Sequence, residues 1–335
     1  MFAQYLLFAA KTMTFVIAIL ILFAGLLALA SKNKQRDKGK LIVKKLNEKY
    51  EEMEDVLSQH VLDKADYKKM LKTRKQEQKA ATKQSSSRKR LFVLTFNGDI
   101  RASATKFLRE EITGLLTLAK PEDEIVLRLE SAGGLVHAYG LAASELQRIR
   151  HANIPLIVII DKVAASGGYL MAAVANRILA APFAILGSIG VLAQLPNFHR
   201  LLKKNNIEFE QITAGQYKRT LTLFGQNTDE GREKFQEEVN EVHQLFKSFV
   251  SQNRPALAIE KVATGEHWYG ARALELSLID GIMTSDDYLL SASKTADIYE
   301  VSYQPKKTLL DKLAHSAAAK IYDAALNKLN QNRFF

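Results

Sequence analysis

From residue 91 onward, short and largely apolar runs alternate with stretches of helical spacing. "LFVLTF" (91–96), "EIVLRLE" (124–130), "PLIVIID" (155–161), "RILAAPFAILGSIGV" (177–191) and "IEFEQI" (207–212) have strand length and β-branched or aromatic content. Between them, 103–119, 135–150, 166–176 and 196–206 read as helices, and 228–253 reads as a long amphipathic one. A strand followed by a helix about every 30 residues implies βαβ units and a mainly parallel sheet. Strands covered on both faces are apolar along most of their length, as LFVLTF and PLIVIID are. The expected fold class is therefore α/β. Residues 155–195 are apolar enough to suggest a membrane span, but Asp161, Lys162, Arg177, Pro182, Gly187 and Gly190 interrupt them, so they are expected to be buried core.

The 90 residues before this domain differ in character. Residues 12–30, "TMTFVIAILILFAGLLALA", carry no charge and as a helix would reach across about one bilayer core. Residues 5–30 are expected to form a transmembrane anchor. Ala28-Leu29-Ala30 resembles a signal-peptide cleavage site, but the apolar core is longer than a signal peptide's and its positive charge follows it, so a retained anchor is favoured. Nearly all of the net charge of +11 lies in the next segment: residues 32–90 hold 19 Lys/Arg against 9 Asp/Glu, a net of +10, and residues 91–335 hold 27 of each. A basic run directly after an apolar one suits anionic lipid headgroups, and no nucleic-acid partner is expected. By the positive-inside rule the charges favour a cytoplasmic domain. Residues 40–83 read as one charged helix, and "KQSSSRKR" (83–90) as a linker and domain boundary. Residues 291–335 form a C-terminal extension with an amphipathic helix at 307–331. The chain has no cysteine, which excludes disulfides, thiol catalysis and cysteine-ligated metals. No metal or other cofactor is expected.

The chemistry concentrates in small-residue turns. Ser166, in "AASGGY" (164–169), stands at a strand-to-helix junction before two glycines, where it is either a helix cap or a nucleophile. A nucleophilic serine needs a base. Of the seven histidines, His137, after the "SAGG" turn, is the best placed, but none is marked as a partner. Lys218, in "ITAGQYKRT" (212–220), lies among apolar residues, and a lysine drawn into an apolar pocket favours the neutral form that a base requires. Ser188, in "GSIG" (187–190), could orient that amine. The backbone at Gly133 and Gly167 could hold an oxyanion.

Taken together, "SAGG" (131–134), "AASGGY" (164–169), "GSIG" (187–190), "AGQYK" (214–218) and "ARALELSLIDGI" (271–282) resemble the signal peptide peptidase family of serine proteases, in particular its SohB-type membrane members. The motifs keep the family's order and spacing across roughly 91–290. The resemblance implies a ClpP/crotonase-like spiral of ββα units, assembly into homo-oligomeric rings, a bacterial inner-membrane location and peptide or protein substrates, with membrane lipid as a further partner. It implies Ser166 as nucleophile, Lys218 as general base, Ser188 as the hydroxyl beside the lysine, and Gly133 and Gly167 as oxyanion donors. A signal-peptide role is often placed on the outer side of the membrane, so the side of the catalytic domain stays open. One departure is Ala132, where the family usually has proline; the exchange loosens the turn without removing a catalytic atom. Two alternatives remain. One is an acyl-CoA isomerase or hydratase of the same broad fold, with Glu130 or Asp161 as base. The other is a non-catalytic membrane scaffold.

Overall fold

The computed structural model describes residues 2–32, 39–83 and 88–305. The chain divides into two units, residues 1–40 with 304–335, and residues 41–303.

In the first unit, helix α1 (Phe2–Lys32) contains the expected anchor. The Thr12 and Thr14 hydroxyls donate back to the Phe8 and Ala10 carbonyls, so neither polar group interrupts the helix. Several side chains in its second half lie outside the described residues, and among the described ones no helix is long and apolar enough to cross a membrane. The amphipathic stretch 307–331 also lies outside the described residues.

The second unit begins with strand β1 (Lys40–Lys45), helix α2 (Leu46–Val61) and helix α3 (Lys64–Lys83), where one continuous helix was expected. The helix breaks at Leu62 and Asp63. Arg74 of α3 then pairs with Glu54 and Asp55 of α2, the latter at 2.5 Å. After these come strand β2 (Lys89–Gly98), helix α4 (Thr105–Leu116), strand β3 (Glu124–Ser131) and helix α5 (Val136–His151). Strands β4 (Leu156–Ile160) and β5 (Val163–Ala165) lead into helix α6 (Gly167–Ala172), followed by β6 (Arg177–Ala180) and β7 (Ile185–Gly187). The remainder comprises α7 (His199–Lys204), α8 (Asp229–Asn253), α9 (Ile259–Val262), β8 (His267–Tyr269), α10 (Gly270–Glu275), β9 (Gly281–Ile282), α11 (Ser285–Ala292) and β10 (Ala296–Gln304). The strand expected at 207–212 does not form: the segment is irregular and exposed.

One sheet runs β1-β10-β2-β3-β4-β6-β9, and every neighbouring pair from β10 to β9 is parallel. Alternating residues of each strand feed two separate cores. Phe92, Leu94 and Phe96 face the same side as Ile125, Leu127 and Leu129, under Leu108, Ile112, Tyr139 and Leu146 of the covering helices. Leu91 and Val93 face the other side with Val126, Ile157 and Ile298, under Leu46 and Leu289. This two-sided burial explains why the strands carry no polar alternation.

Asn47 fixes the segment before β2 to the sheet. Its buried amide donates to the Ser293 and Ala296 carbonyls and accepts from Ile298 N–H at 2.8 Å. Removing one partner would leave a buried amide unsatisfied, at a cost of ~1–3 kcal/mol.

Candidate active site

The sheet frays at the carboxyl end of β3, and that is where the motif turns meet. Ser131, the last residue of β3, pairs with Ala164 of β5, and Ala165 of β5 pairs with Gly187 of β7. These parallel registers place the turns after β3, β5 and β7 side by side. Ligand sites of open parallel sheets form beyond the carboxyl ends of the strands in this way. "SAGG", "AASGG" and "GSIG" are far apart in sequence but adjacent here because short strands carry them to a common edge.

Ser166 stands between β5 and α6 with φ +53° and ψ −121°. A non-glycine residue held at positive φ costs about 1–3 kcal/mol and persists only where its surroundings enforce it. Here Ser166 N–H donates to Gly187 C=O at 2.8 Å, and Ser166 C=O accepts from Leu170 N–H at 3.0 Å. The hydroxyl makes no cap bond to α6. The bland alternative, a helix-capping serine, is therefore not what the side chain does. Ser166 is half-buried.

Gly133 lies directly against it. Its φ is +88°, and a Cβ there would fall 2.7 Å from both Ser166 Cβ and Gly167 N. Gly134 is equally constrained: a Cβ would sit 2.1 Å from Ile100 C=O. Ser188, also half-buried and at positive φ, follows the carbonyl that holds Ser166 N–H, and its own N–H donates to Glu266 C=O at 2.6 Å. Gly187 leaves room for Trp268, whose ring carbon would lie 2.7 Å from a Cβ.

Ser166, Ser188, Gly133 and Gly167 are thus brought together as expected, but two expectations need correction. The Gly133 N–H is not directed into the cleft: it donates to Ser131 Oγ at 3.1 Å. Among the described residues Gly134 N–H has no partner, and Gly134 is exposed. Lys218 does not sit in an apolar pocket of this chain. It lies in an exposed turn closed by Lys218 N–H to Gly215 C=O at 3.1 Å, and no hydrogen bond links it to Ser166 or Ser188 among the described residues. Its segment, 191–228, presents Leu192 and Ile212 to solvent at 80% and 95% exposure, with Phe198, Phe209 and Phe224 clustered on one another.

Several residues around the site were not anticipated. Tyr139 of α5 is fully buried, and its hydroxyl donates to Asp99 C=O at 2.7 Å while meeting Ser131 Oγ at 2.5 Å. Burial raises the Tyr139 phenol above its usual range, partly opposed by the Ser131 hydrogen bond, so it stays neutral. The Asp99 carboxylate accepts from the Ser103 hydroxyl and from the Ser103 and Arg101 amides, which holds it below the ordinary carboxylate range and shapes the loop after β2. A full-length tyrosine on the helix following "SAGG" was the available sequence signal.

The rival bases are occupied. Asp161 accepts both the N–H and the hydroxyl of Ser285, and Glu130 pairs with Lys162 at 3.1 Å. His137 is exposed on the first turn of α5. Among the described residues no three His, Asp or Glu side chains converge as metal ligands.

Residues 1–146 match the model of the peptidase family S49 N-terminal region, and residues 148–299 match that of peptidase family S49. The chain belongs to peptidase family S49, as a SohB-type member. It is 46% identical over 317 residues to a "Probable protease SohB" of Haemophilus influenzae, covering 90% of each chain. It is 52% identical over 241 residues, 72% of each chain, to a "Probable protease SohB" of Buchnera aphidicola subsp. Acyrthosiphon pisum. A more distant relative, a "Putative signal peptide peptidase SppA" of Enterococcus faecium, is 28% identical over 63% of this chain and 65% of its own. The mixed α/β architecture fits this peptidase family.

Proposed function

We propose that the chain is a membrane-anchored, homo-oligomeric Ser–Lys endopeptidase that cleaves signal-peptide remnants or membrane and misfolded proteins. The observation that carries this reading is Ser166: a hydroxyl held on a strained turn, unused as a cap, with a glycine turn pressed against it. The strand–strand–helix successions β4-β5-α6 and β6-β7-α7 are read as turns of a ClpP/crotonase-like spiral.

In the proposed reaction an extended peptide lies beside the turn at 131–136. Ile100, Leu135 and Val136 are exposed there, which favours apolar substrate side chains. Neutral Lys218 takes the Ser166 proton as Oγ forms a bond to the scissile carbonyl carbon. The carbonyl oxygen becomes an oxyanion facing the Gly167 and Gly134 amides. The Lys218 ammonium then gives its proton to the leaving amine as the C–N bond breaks. Water, losing a proton to Lys218, releases the acyl group and restores Ser166.

Lys218 is exposed in the single chain, and a base needs a dry site. We assign that dryness to assembly: the apolar side chains exposed on 191–228 are covered by a second copy, which encloses Lys218 with Ser166 and Ser188. Helix α1 supplies the anchor in the bacterial inner membrane, and the basic residues of α3 face anionic lipid.

The decisive experiment is active-site labelling. A fluorophosphonate should modify the full-length protein at Ser166, and Ser166→Ala and Lys218→Ala should each abolish peptide hydrolysis. A labelled Ser166 with an active Lys218→Ala variant would overturn the assigned base. Absence of labelling with undiminished hydrolysis would overturn the nucleophile. Protease accessibility of the folded domain in intact spheroplasts assigns the side of the membrane.

A further inference from the structure

One buried side chain touches both backbone segments of the proposed oxyanion site. The ring of Tyr139 packs under Gly167, where an added Cβ would lie 2.4 Å from Tyr139 Cγ. Its hydroxyl belongs to a chain whose proton directions are fixed by its last member. Asp99 C=O can only accept, so Tyr139 O–H donates to it at 2.7 Å. Tyr139 has then spent its one proton, so Ser131 O–H must donate to Tyr139, at 2.5 Å. Ser131 Oγ is left to accept, and it accepts Gly133 N–H at 3.1 Å. The chain runs Gly133 N–H to Ser131 to Tyr139 to Asp99 with no alternative polarity.

The space for it is reserved. A Cβ on Gly98 would fall 2.4 Å from Ser131 Oγ and 2.5 Å from Tyr139 OH. Ser131 and Tyr139 are both buried, so water does not compete for these groups. Leu135 N–H donates to Ile100 C=O at 2.8 Å and fixes the far end of the turn. Of the two glycine amides in "SAGG", one is thus tied inward and the other, at Gly134, has no partner among the described residues.

We propose that Ser131 and Tyr139 are positioning residues of this peptidase: by drawing Gly133 N–H inward they fix the 131–134 turn and leave Gly134 N–H, together with Gly167 N–H, to receive the oxyanion. The proposal rests on the peptidase reading above. Neither residue reaches the substrate.

The test uses the full-length protein with Tyr139→Phe, Ser131→Ala, the double variant and Gly98→Ala. Tyr139→Phe keeps the ring under Gly167 and removes only the hydroxyl. It should lower kcat roughly 10- to 100-fold with KM within about twofold, because the loss falls on oxyanion stabilisation alone. Affinity for a peptidyl aldehyde, which forms a tetrahedral oxyanion on Ser166, should fall by the same factor. The double variant should be no slower than the worse single one, since both act through one N–H. Gly98→Ala should reproduce the defect from outside the chain. A kcat within about twofold of the parent, a rise in KM equal to the fall in kcat/KM, or additive losses would each overturn the proposal.

Hydrogen exchange at Gly133 separates this proposal from the peptidase reading. The amide should be protected in the parent and exchange freely in Ser131→Ala. Protection lost in Ser131→Ala but no fluorophosphonate adduct at Ser166 defeats the peptidase reading and leaves the chain of bonds standing. Labelling at Ser166 with an unprotected Gly133 amide defeats the proposal alone.

Discussion

Gly133 stands so close to Ser166 that a methyl group on it would lie 2.7 Å from Ser166 Cβ. No two β-carbons approach that closely without moving the backbone. Gly133 also holds φ +88°, a region costly for any side chain. Gly133→Ala should therefore displace either the turn or the nucleophile and reduce hydrolysis at least roughly 100-fold. The variant's thermal midpoint should fall by only a few degrees, since the turn is at the surface and both cores are untouched. Parent-level turnover would mean that the two turns do not meet in the working enzyme.

Removing the base and removing its neighbour should differ in scale. Lys218→Ala should cost roughly 10³-fold or more, as loss of a triad base does elsewhere. Ser188→Ala deletes a hydroxyl beside the nucleophile without touching its proton, and roughly a tenfold loss is expected. Single-turnover release of a fluorogenic leaving group measures both. Equal losses would place Ser188 in the proton path.

The difference between what the sequence did and did not reveal has a physical cause. The strands with two buried faces were legible because both cores demand apolar residues in succession, as at Leu91–Leu94 and Leu156–Ile160. Ser166 and Gly133 were legible because special backbone geometry requires small residues in a recognisable order. "IEFEQI" also alternates like a strand, yet no neighbouring strand pairs with it, and Ile212 is left 95% exposed. Its apolar residues answer to something other than this chain's own sheet. Residues 40–45 read as helix because their lysines suit one, but the free edge of β10 recruits them as a strand. Only the tyrosine after "SAGG" marks the Ser131–Tyr139–Asp99 chain in the sequence, because the backbone carbonyl and amide that complete it have no residue signature.

The exposed apolar arm gives a separate prediction. Ile212→Asp combined with Leu192→Asp places two charges where contact with a second copy is proposed, and buried unpaired charge disfavours association strongly. Sedimentation of the detergent-solubilised protein should show a shift to smaller species. Turnover should fall with it, because Lys218 then remains in water. A dissociated protein with full activity would separate the arm from catalysis. An unchanged assembly would locate the interface elsewhere.

Glu111 predicts how stability varies with pH. Its carboxyl is buried on α4 and accepts Tyr303 N–H of β10 at 2.7 Å. Burial pushes it up to about 7, and the backbone hydrogen bond only partly opposes this. The folded state therefore keeps a proton that the unfolded chain releases near the ordinary carboxylate value of ~4.3. Between those two values the folded state binds more protons, so stability falls as pH rises through the window and levels off above about 7. The total contribution is of order 3–4 kcal/mol, equivalent to several degrees in melting temperature for a domain of this size. Glu111→Gln keeps an acceptor for Tyr303 N–H and cannot ionise. Its melting temperature should match the parent's near pH 5 and exceed it near pH 8. Parallel melting curves for the two proteins across that range would mean that Glu111 is not the group that titrates.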